Sequence, residues 1–117
     1  MTRPARPPQV VAATPGGRSL LFTLEPGEGV PRHTHPQARV VIAVLSGELR
    51  LTTDEGSRPL QAGAVLPHEG AQPLALEALG PGTRVLVTLL SLKEGTTGES
   101  TGTGESTGKE QKPRPVS

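Results

Sequence analysis

The sequence predicts an all-β fold, a sandwich or barrel, and two observations carry this prediction. Glycine and proline clusters recur at intervals of roughly ten residues between Pro15 and Gly82. The runs between these clusters are short and rich in valine and leucine, and none keeps apolar residues at helical spacing without a breaker. Regular short strands between turn signals are typical of β-sandwiches and β-barrels.

Seven of these runs are predicted to be strands. In chain order they cover residues 10–13, 19–24, 39–46, 48–53, 64–66, 74–78 and 84–92. In the fourth run Leu49 and Leu51 alternate with polar residues, the pattern of a strand with one face in water. The run 40–45 is apolar at every position, so we expect the core to cover one face and another sheet or subunit the other. We therefore predict a homodimer, and we expect a charge at Ile42 to unfold or aggregate the chain.

The chain has room for one folded domain, which we place at residues 9–92. Residues 1–8 are rich in proline and arginine, and we predict a disordered arm there. Residues 93–117 are mainly Thr, Gly, Glu, Ser and Lys, and the sequence TGESTG occurs twice in succession. Such a segment has almost no apolar surface to offset the entropy lost on ordering, so we predict a disordered tail.

Composition excludes several classes of partner. The formal charge of the chain is +1. Residues 9–92 contain six arginines and seven acidic residues, so they have no excess of positive charge with which to bind nucleic acid or an anionic membrane. Phe22 is the only aromatic residue, which excludes base-stacking platforms. The absence of cysteine fits a cytoplasmic protein, and the longest apolar run is far too short to span a bilayer. We expect a small-molecule ligand.

The three histidines form the candidate site. His33 and His35 lie in the stretch 31–36 and His68 lies in the stretch 63–73, and each stretch separates predicted strands. Because side chains on a strand repeat with a period of two, we expect the imidazoles of His33 and His35 to project from the same face.

Two stretches around these histidines resemble the conserved motifs of the cupin family. Gly27, His33 and His35 have the spacing of the first motif, which continues through an apolar strand to the sequence LSGEL at 45–49. The sequence LQAGAVLP at 60–67, together with Gly70, is similar to the second motif. The resemblance implies a small jelly-roll β-barrel with an interior pocket. It also implies one divalent metal held by the histidine pair, a following glutamate and a second-motif histidine.

The chain departs from this pattern at two of the four ligand positions. The glutamate position falls at Arg39 or Val40, and Gln72 and Pro73 stand where the second histidine is expected. His68 follows Pro67, a few positions early. Two imidazoles leave a divalent ion short of the three or four protein ligands usual for zinc or iron. The predicted metal ligands are therefore His33, His35 and His68, with an oxygen from Glu69, Glu25 or Glu28.

Two functions follow, and they differ in the role of Arg39. In the first, zinc, iron, manganese or nickel binds to the histidines and supports metal-assisted chemistry on a small polar molecule. In the second, the barrel binds a small organic anion without metal, and Gln37 and Arg39 join the histidines in the pocket. If Arg39 points into the barrel it opposes a bound cation, and if Val40 points inward instead this repulsion vanishes. A third interpretation is a barrel that serves only for dimerisation.

Overall fold

A computed structural model describes residues 3–92, which fold entirely into strands and connecting turns. The strands are β1 (Arg3–Pro4), β2 (Gln9–Thr14), β3 (Gly17–Leu24), β4 (Glu28–His33), β5 (Ala38–Ser46), β6 (Glu48–Thr53), β7 (Gly56–Gln61), β8 (Val65–Glu69), β9 (Leu74–Ala78) and β10 (Thr83–Ser91). The predicted tail, residues 93–117, lies outside the described residues. Between residues 3 and 92 there is no helix long and apolar enough to cross a membrane.

The strands form two five-stranded sheets. Sheet 1 has the order β1-β4-β9-β6-β7 and sheet 2 has the order β2-β3-β10-β5-β8. All neighbouring strands are antiparallel except β1, which runs parallel to β4. The prediction of an all-β jelly-roll fold is confirmed.

The core lies between the inner faces of the two sheets. Its members are small and aliphatic because the sequence offers almost no aromatic side chains, and they come from six strands. The buried residues are Leu24, Val40, Ile42, Val44, Leu49, Leu51, Leu60, Leu74, Leu76, Ala78, Val85, Val87 and Leu89. Strand β5 shows the strict alternation of a sheet, since Val40, Ile42 and Val44 are buried while the residues between them face outward. The core therefore covers one apolar face of the run 40–45.

Three strands escape the prediction from sequence, namely β1, β4 and β7. Strand β4 reads EGVPRH and β7 reads GSRPLQ, so neither has the valine and leucine content that marks a strand. Both contain a proline, which has no amide hydrogen to donate to a neighbouring strand and therefore argues against a strand at that position. They form because neighbours in sheet 1 supply the hydrogen bonds and the inner face needs only two apolar residues, Val30 and Leu60.

The N-terminal arm was predicted to be disordered, but from Arg3 onward it is ordered against the barrel. The Arg3 amide donates to the Gly27 carbonyl at 2.8 Å, and the Ala5 amide donates to the Gly29 carbonyl at 2.8 Å. Arg6 reaches the carboxylate of Glu28 at 3.4 Å, and Ala5 packs against the core. These contacts offset the entropy that the arm loses on ordering. Composition alone does not reveal them, because their partners lie more than twenty residues away along the chain.

Candidate functional site

An irregularity in β4 aims His33 into the barrel. Val30 pairs with Leu76 of β9, but the next pair joins His33 to Leu74, so three steps along β4 match two along β9. Pro31 lies in this stretch and has no amide hydrogen to offer the ladder. Strict alternation from the inward Val30 would turn His33 outward, and the extra residue reverses that orientation. The bulge thus places the His33 imidazole on the inner face.

His35 lies in the turn after β4, and backbone hydrogen bonds to Gly70 fix the position of this turn. The His35 amide donates to the Gly70 carbonyl at 2.6 Å, and the Gly70 amide donates to the Ala38 carbonyl at 3.1 Å. A Cβ at position 70 would collide with the carbonyl oxygens of both His35 and Ala38. Glycine is therefore required at position 70 by the close approach of two backbones.

His33 and His35 face the interior cavity together. Their ring centroids are 4.7 Å apart and the rings meet edge to face at 84°. Both line a cavity of about 190 Å³, which we call the lumen. Among the residues that the structure describes, those bordering the lumen besides the two imidazoles are aliphatic side chains and Phe22, namely Leu20, Phe22, Val30, Val40, Leu74, Leu76, Val87 and Leu89.

A second, more polar cavity of about 370 Å³ adjoins the lumen, and we call it the vestibule. His35 and Leu89 border both cavities, so the vestibule and the lumen lie side by side at these two residues. Gln37 and Arg18 also line it. Arg18 pairs in register with Leu89, whose side chain is buried, so the guanidinium projects from the inner face of sheet 2. No sequence signal marks Arg18, because its position beside His35 follows from the pairing of β3 with β10.

The two imidazoles differ in their surroundings: a hydrogen bond fixes the tautomer of His33, and burial changes the pKa of His35. The Nδ1–H of His33 donates to the Pro31 carbonyl at 2.7 Å, because a carbonyl can only accept, and this leaves Nε2 for a ligand. Burial lowers the pKa of His35, and the neighbouring His33 and the positive charge of Arg18 lower it further. Near neutral pH His35 is therefore uncharged and can donate from one ring nitrogen and accept at the other.

We expect this lowered pKa to make stability fall in acid. The unfolded chain, in which His35 titrates near its ordinary value of about 6.5, then binds more protons than the folded chain. The contribution is complete above about pH 6.5 and is lost as the pH falls through the lower pKa of the folded state. Urea unfolding between pH 8 and pH 5 measures this, with the always-neutral variant His35→Gln as control. An equal slope in both proteins between pH 6.5 and pH 5 would contradict it.

Arg39 does not face the lumen, and the expectation that it binds a ligand there is not met. Val40 is buried and lines the lumen, so alternation along β5 turns Arg39 to the outer face of sheet 2. Its guanidinium forms an ion pair with the carboxylate of Glu69 at 2.8 Å. Gln37, the other residue predicted to bind a ligand, lies at the vestibule.

His68 is separated from the other two histidines. It lines a different cavity of about 450 Å³, between the β6–β7 turn and β8, that includes neither His33 nor His35. Its Nε2–H donates to the Gln72 carbonyl at 2.8 Å. The predicted set of three histidine ligands is thus not brought together.

The residues around His33 and His35 do not fit a complete divalent-metal site. The resemblance places a glutamate ligand at position 39 or 40, but Arg39 faces outward and Val40 lines the lumen without a donor atom, and Leu74 is the residue in register with His33 on the neighbouring strand. Within residues 3–92 no three histidine, aspartate or glutamate side chains form a group suited to a metal ion. The carboxylates predicted to help are engaged elsewhere.

These carboxylates contact arginines outside the lumen. Glu69 pairs with Arg39, and Glu25 and Glu28 both face Arg6 of the N-terminal arm. The backbone amide of Glu25 donates to the Glu28 carboxylate and, with Arg6 and Arg3, holds the pKa of that carboxyl below its usual range despite burial.

Comparison with known proteins agrees with this architecture. An RmlC-like cupin protein from Desulfovibrio desulfuricans superposes with a TM-score of 0.65 at 28% identity, covering 71% of this chain and 79% of the other. KdgF from a Halomonas species gives 0.68 at 19% identity, covering 72% and 78%. A Klebsiella pneumoniae protein with a double-stranded β-helix domain gives 0.64 at 23% identity, covering 73% and 72%.

A sequence comparison with curated proteins finds no match. The family model for the cupin domain matches residues 20–88, which include β4, β5 and the turn carrying His35. Because this match spans more than half of the chain, and the sheets, the lumen and its histidine pair agree with it, the chain belongs to the cupin family.

Proposed function

We propose that this cupin binds a small amphiphilic organic anion without a metal ion. The apolar part of the ligand occupies the lumen, and its carboxylate or similar group lies in the vestibule beside Arg18. The observation that carries the proposal is the junction of an almost wholly apolar cavity with a polar one that contains an arginine, at the His35 ring.

The lumen sets the size and character of the apolar part. Its volume of about 190 Å³ equals that of about six water molecules at roughly 30 Å³ each, which suits a short aliphatic chain or a single ring. Aliphatic side chains provide no hydrogen bonds to water or to a polar ligand, so transfer of an apolar group into the lumen is favourable.

The vestibule supplies the charge selection. Arg18 forms no ion pair with any carboxylate between residues 3 and 92, whereas Arg6, Arg32, Arg39 and Arg50 each face an acid. A guanidinium without an acidic partner favours a carboxylate, which it can bind through two parallel hydrogen bonds. The neutral His35 and the Gln37 amide lie where they can bind further polar atoms of the same ligand.

A series of straight-chain carboxylates tests the proposal by calorimetry at pH 7.5. From acetate to hexanoate we expect the affinity to rise about fourfold for each methylene, because burying one contributes about 0.8 kcal/mol. The rise should stop once the chain fills the lumen. Equal affinity for acetate and hexanoate would show that only the surface charge binds, and would overturn the proposal.

Divalent-metal binding through His33 and His35 is the second candidate function, and one observation favours it. The hydrogen bond from His33 Nδ1 to the Pro31 carbonyl fixes the tautomer and presents Nε2, as is usual for histidine ligands of metals. With only two protein nitrogens, we expect weak binding of zinc, iron, manganese or nickel. Elemental analysis, and melting with and without EDTA, test this. A stoichiometric metal and a lower melting temperature in EDTA would favour the metal function over the metal-free one.

A further inference from the structure

The cavity of about 450 Å³ that contains His68 opens between the edges of the two sheets, and we call it the side cavity. Strand β7 is the last strand of sheet 1, and β8 is the last strand of sheet 2. One wall consists of the end of β6, the start of β7 and the turn between them, and the other consists of β8 and the turn after it. The side cavity is larger than the lumen and shares no lining residue with it.

Two polar side chains of the side cavity project from the inner faces of the sheets. Arg58 pairs with Leu51 of β6, which is buried in the core. His68 pairs with Val40 of β5, which is also buried in the core. Paired residues on neighbouring strands project from the same face, so the guanidinium of Arg58 and the imidazole of His68 lie on the inner sides of opposite sheets. The side cavity thus has a cation on one wall and a hydrogen-bonding ring on the other.

A backbone hydrogen bond fixes the tautomer of His68. Its Nε2–H donates to the Gln72 carbonyl at 2.8 Å, and the Gln72 amide donates to the Glu69 carbonyl at 2.9 Å, so the turn after β8 holds the ring in place. In the neutral ring the other nitrogen, Nδ1, carries a lone pair. It accepts no hydrogen bond from residues 3–92. A ligand in the side cavity can therefore place a hydrogen-bond donor against Nδ1.

The unpaired charges of the side cavity are one of each sign. Two of its three carboxylates form ion pairs with arginines, at 2.9 and 2.8 Å; the pairs are Asp54–Arg32 and Glu69–Arg39. Glu55 and Arg58 have no ion-pair partner within the part of the chain that the structure describes. A site with one free anion and one free cation favours a ligand that carries both charges itself.

We infer that the side cavity binds a small zwitterion with a carboxylate and an ammonium group, of the kind that a free α-amino acid provides. Arg58 binds the carboxylate, for which its planar fork of N–H donors is suited. The ammonium group donates to Nδ1 of His68 and faces the carboxylate of Glu55. One ligand then supplies a partner for all three of these groups.

A ligand with a single charge suits the side cavity less well. A carboxylate without an ammonium group leaves Nδ1 of His68 without a donor and lies near the like charge of Glu55. An amine without a carboxylate leaves the Arg58 guanidinium unpaired. The arrangement therefore selects for both groups together and against either one alone.

Apolar side chains in the side cavity set a preference among amino acids. Leu51 and Leu66 line it, and Leu66 packs against the core. The volume equals that of about 15 water molecules at roughly 30 Å³ each, so an aliphatic amino acid fits with water around its charged groups. Because partial burial of an aliphatic side chain is favourable, we expect L-leucine to bind roughly tenfold more tightly than glycine.

Titration of the ¹⁵N-labelled full chain with L-leucine, followed by NMR up to about 20 mM, tests the inference at an exposed and therefore weak site. We expect chemical-shift changes at the amides of residues 53–58 and 66–72. Arg58→Gln should weaken binding roughly tenfold, whereas Arg84→Gln, which removes the same charge from an exposed position on β10, should bind like the wild type. Arg58 is itself exposed, so its substitution leaves the fold intact, as circular dichroism can verify.

Analogues that lack one charged group test the recognition of each end. N-acetyl-leucine has no ammonium group and leucinamide has no carboxylate, and we expect each to bind at residues 53–58 and 66–72 at least roughly tenfold more weakly than leucine. Arg18→Gln should leave leucine binding unchanged, because Arg18 lines the vestibule and not the side cavity. This variant separates the inference from the proposed function, which depends on Arg18.

Four results would overturn the inference. They are the absence of shift changes at about 20 mM leucine, shift changes centred on Arg18 and His35, unchanged affinity in Arg58→Gln, and equal binding of leucine and N-acetyl-leucine.

Discussion

We expect Ile42→Lys to unfold this protein. Ile42 is 0% exposed at the middle of β5, and its register partners Val87 and Leu66 lie on the same inner face. Truncating such a residue to alanine costs about 2–5 kcal/mol, and burying an unpaired ammonium costs more. Since small domains are stable by only about 5–15 kcal/mol, little or no folded protein should remain.

Thermal melting followed by circular dichroism measures this effect. Leu45→Lys is the matched control, because Leu45 lies on the same strand but is 48% exposed, and its melting temperature should stay within a few degrees of the wild type. Ile42→Val gives a quantity that can be measured if the lysine variant is insoluble, with an expected loss of about 0.5–1.5 kcal/mol. An Ile42→Lys protein with the wild-type melting temperature would contradict the placement of β5 in the core.

The second large effect is expected at Arg18. If the proposed function holds, Arg18→Gln removes a charged hydrogen bond to the ligand carboxylate and weakens hexanoate binding roughly tenfold or more. Arg18→Lys should recover part of the loss, because lysine keeps the charge but not the two-pronged geometry. Calorimetry with hexanoate, and with 1-hexanol as the uncharged analogue, measures both contributions. Arg18→Gln should leave 1-hexanol binding unchanged.

Two further arginine variants separate contact from net charge. Arg39→Gln and Arg84→Gln each remove one positive charge, but Arg39 is paired with Glu69 on the outer face and Arg84 is exposed on β10. Both should bind hexanoate like the wild type. An equal loss of affinity in all three variants would assign the effect to long-range electrostatics and not to Arg18.

Strands were predicted most accurately from the sequence where a single segment carries the whole pattern. Strands β6 and β9 have the predicted bounds, and β5 differs by one residue, because alternation or continuous apolar character is a local signal. The spacing of His33 and His35 within the family motif indicated a pair facing an interior pocket. The argument from strand periodicity was wrong for this pair, because β4 ends at His33 and His35 lies in the following turn.

Partners that lie far apart in sequence were not predictable from one segment. The bulge before His33 depends on pairing with β9, the position of His35 depends on Gly70, and Arg18 lines the vestibule because β3 pairs with β10. The separation of His68 from the other histidines likewise depends on which cavity β8 borders. None of these contacts has a periodicity that a sequence window can detect.

Sequence alone therefore determined the all-β class, the family and the apolar character of the core, because turn residues, alternation and motif spacing are properties of the chain itself. The tertiary structure decided which side chains share the lumen and which way each faces. One residue of register reverses a side chain's direction, and register is set by pairing between strands and not within them.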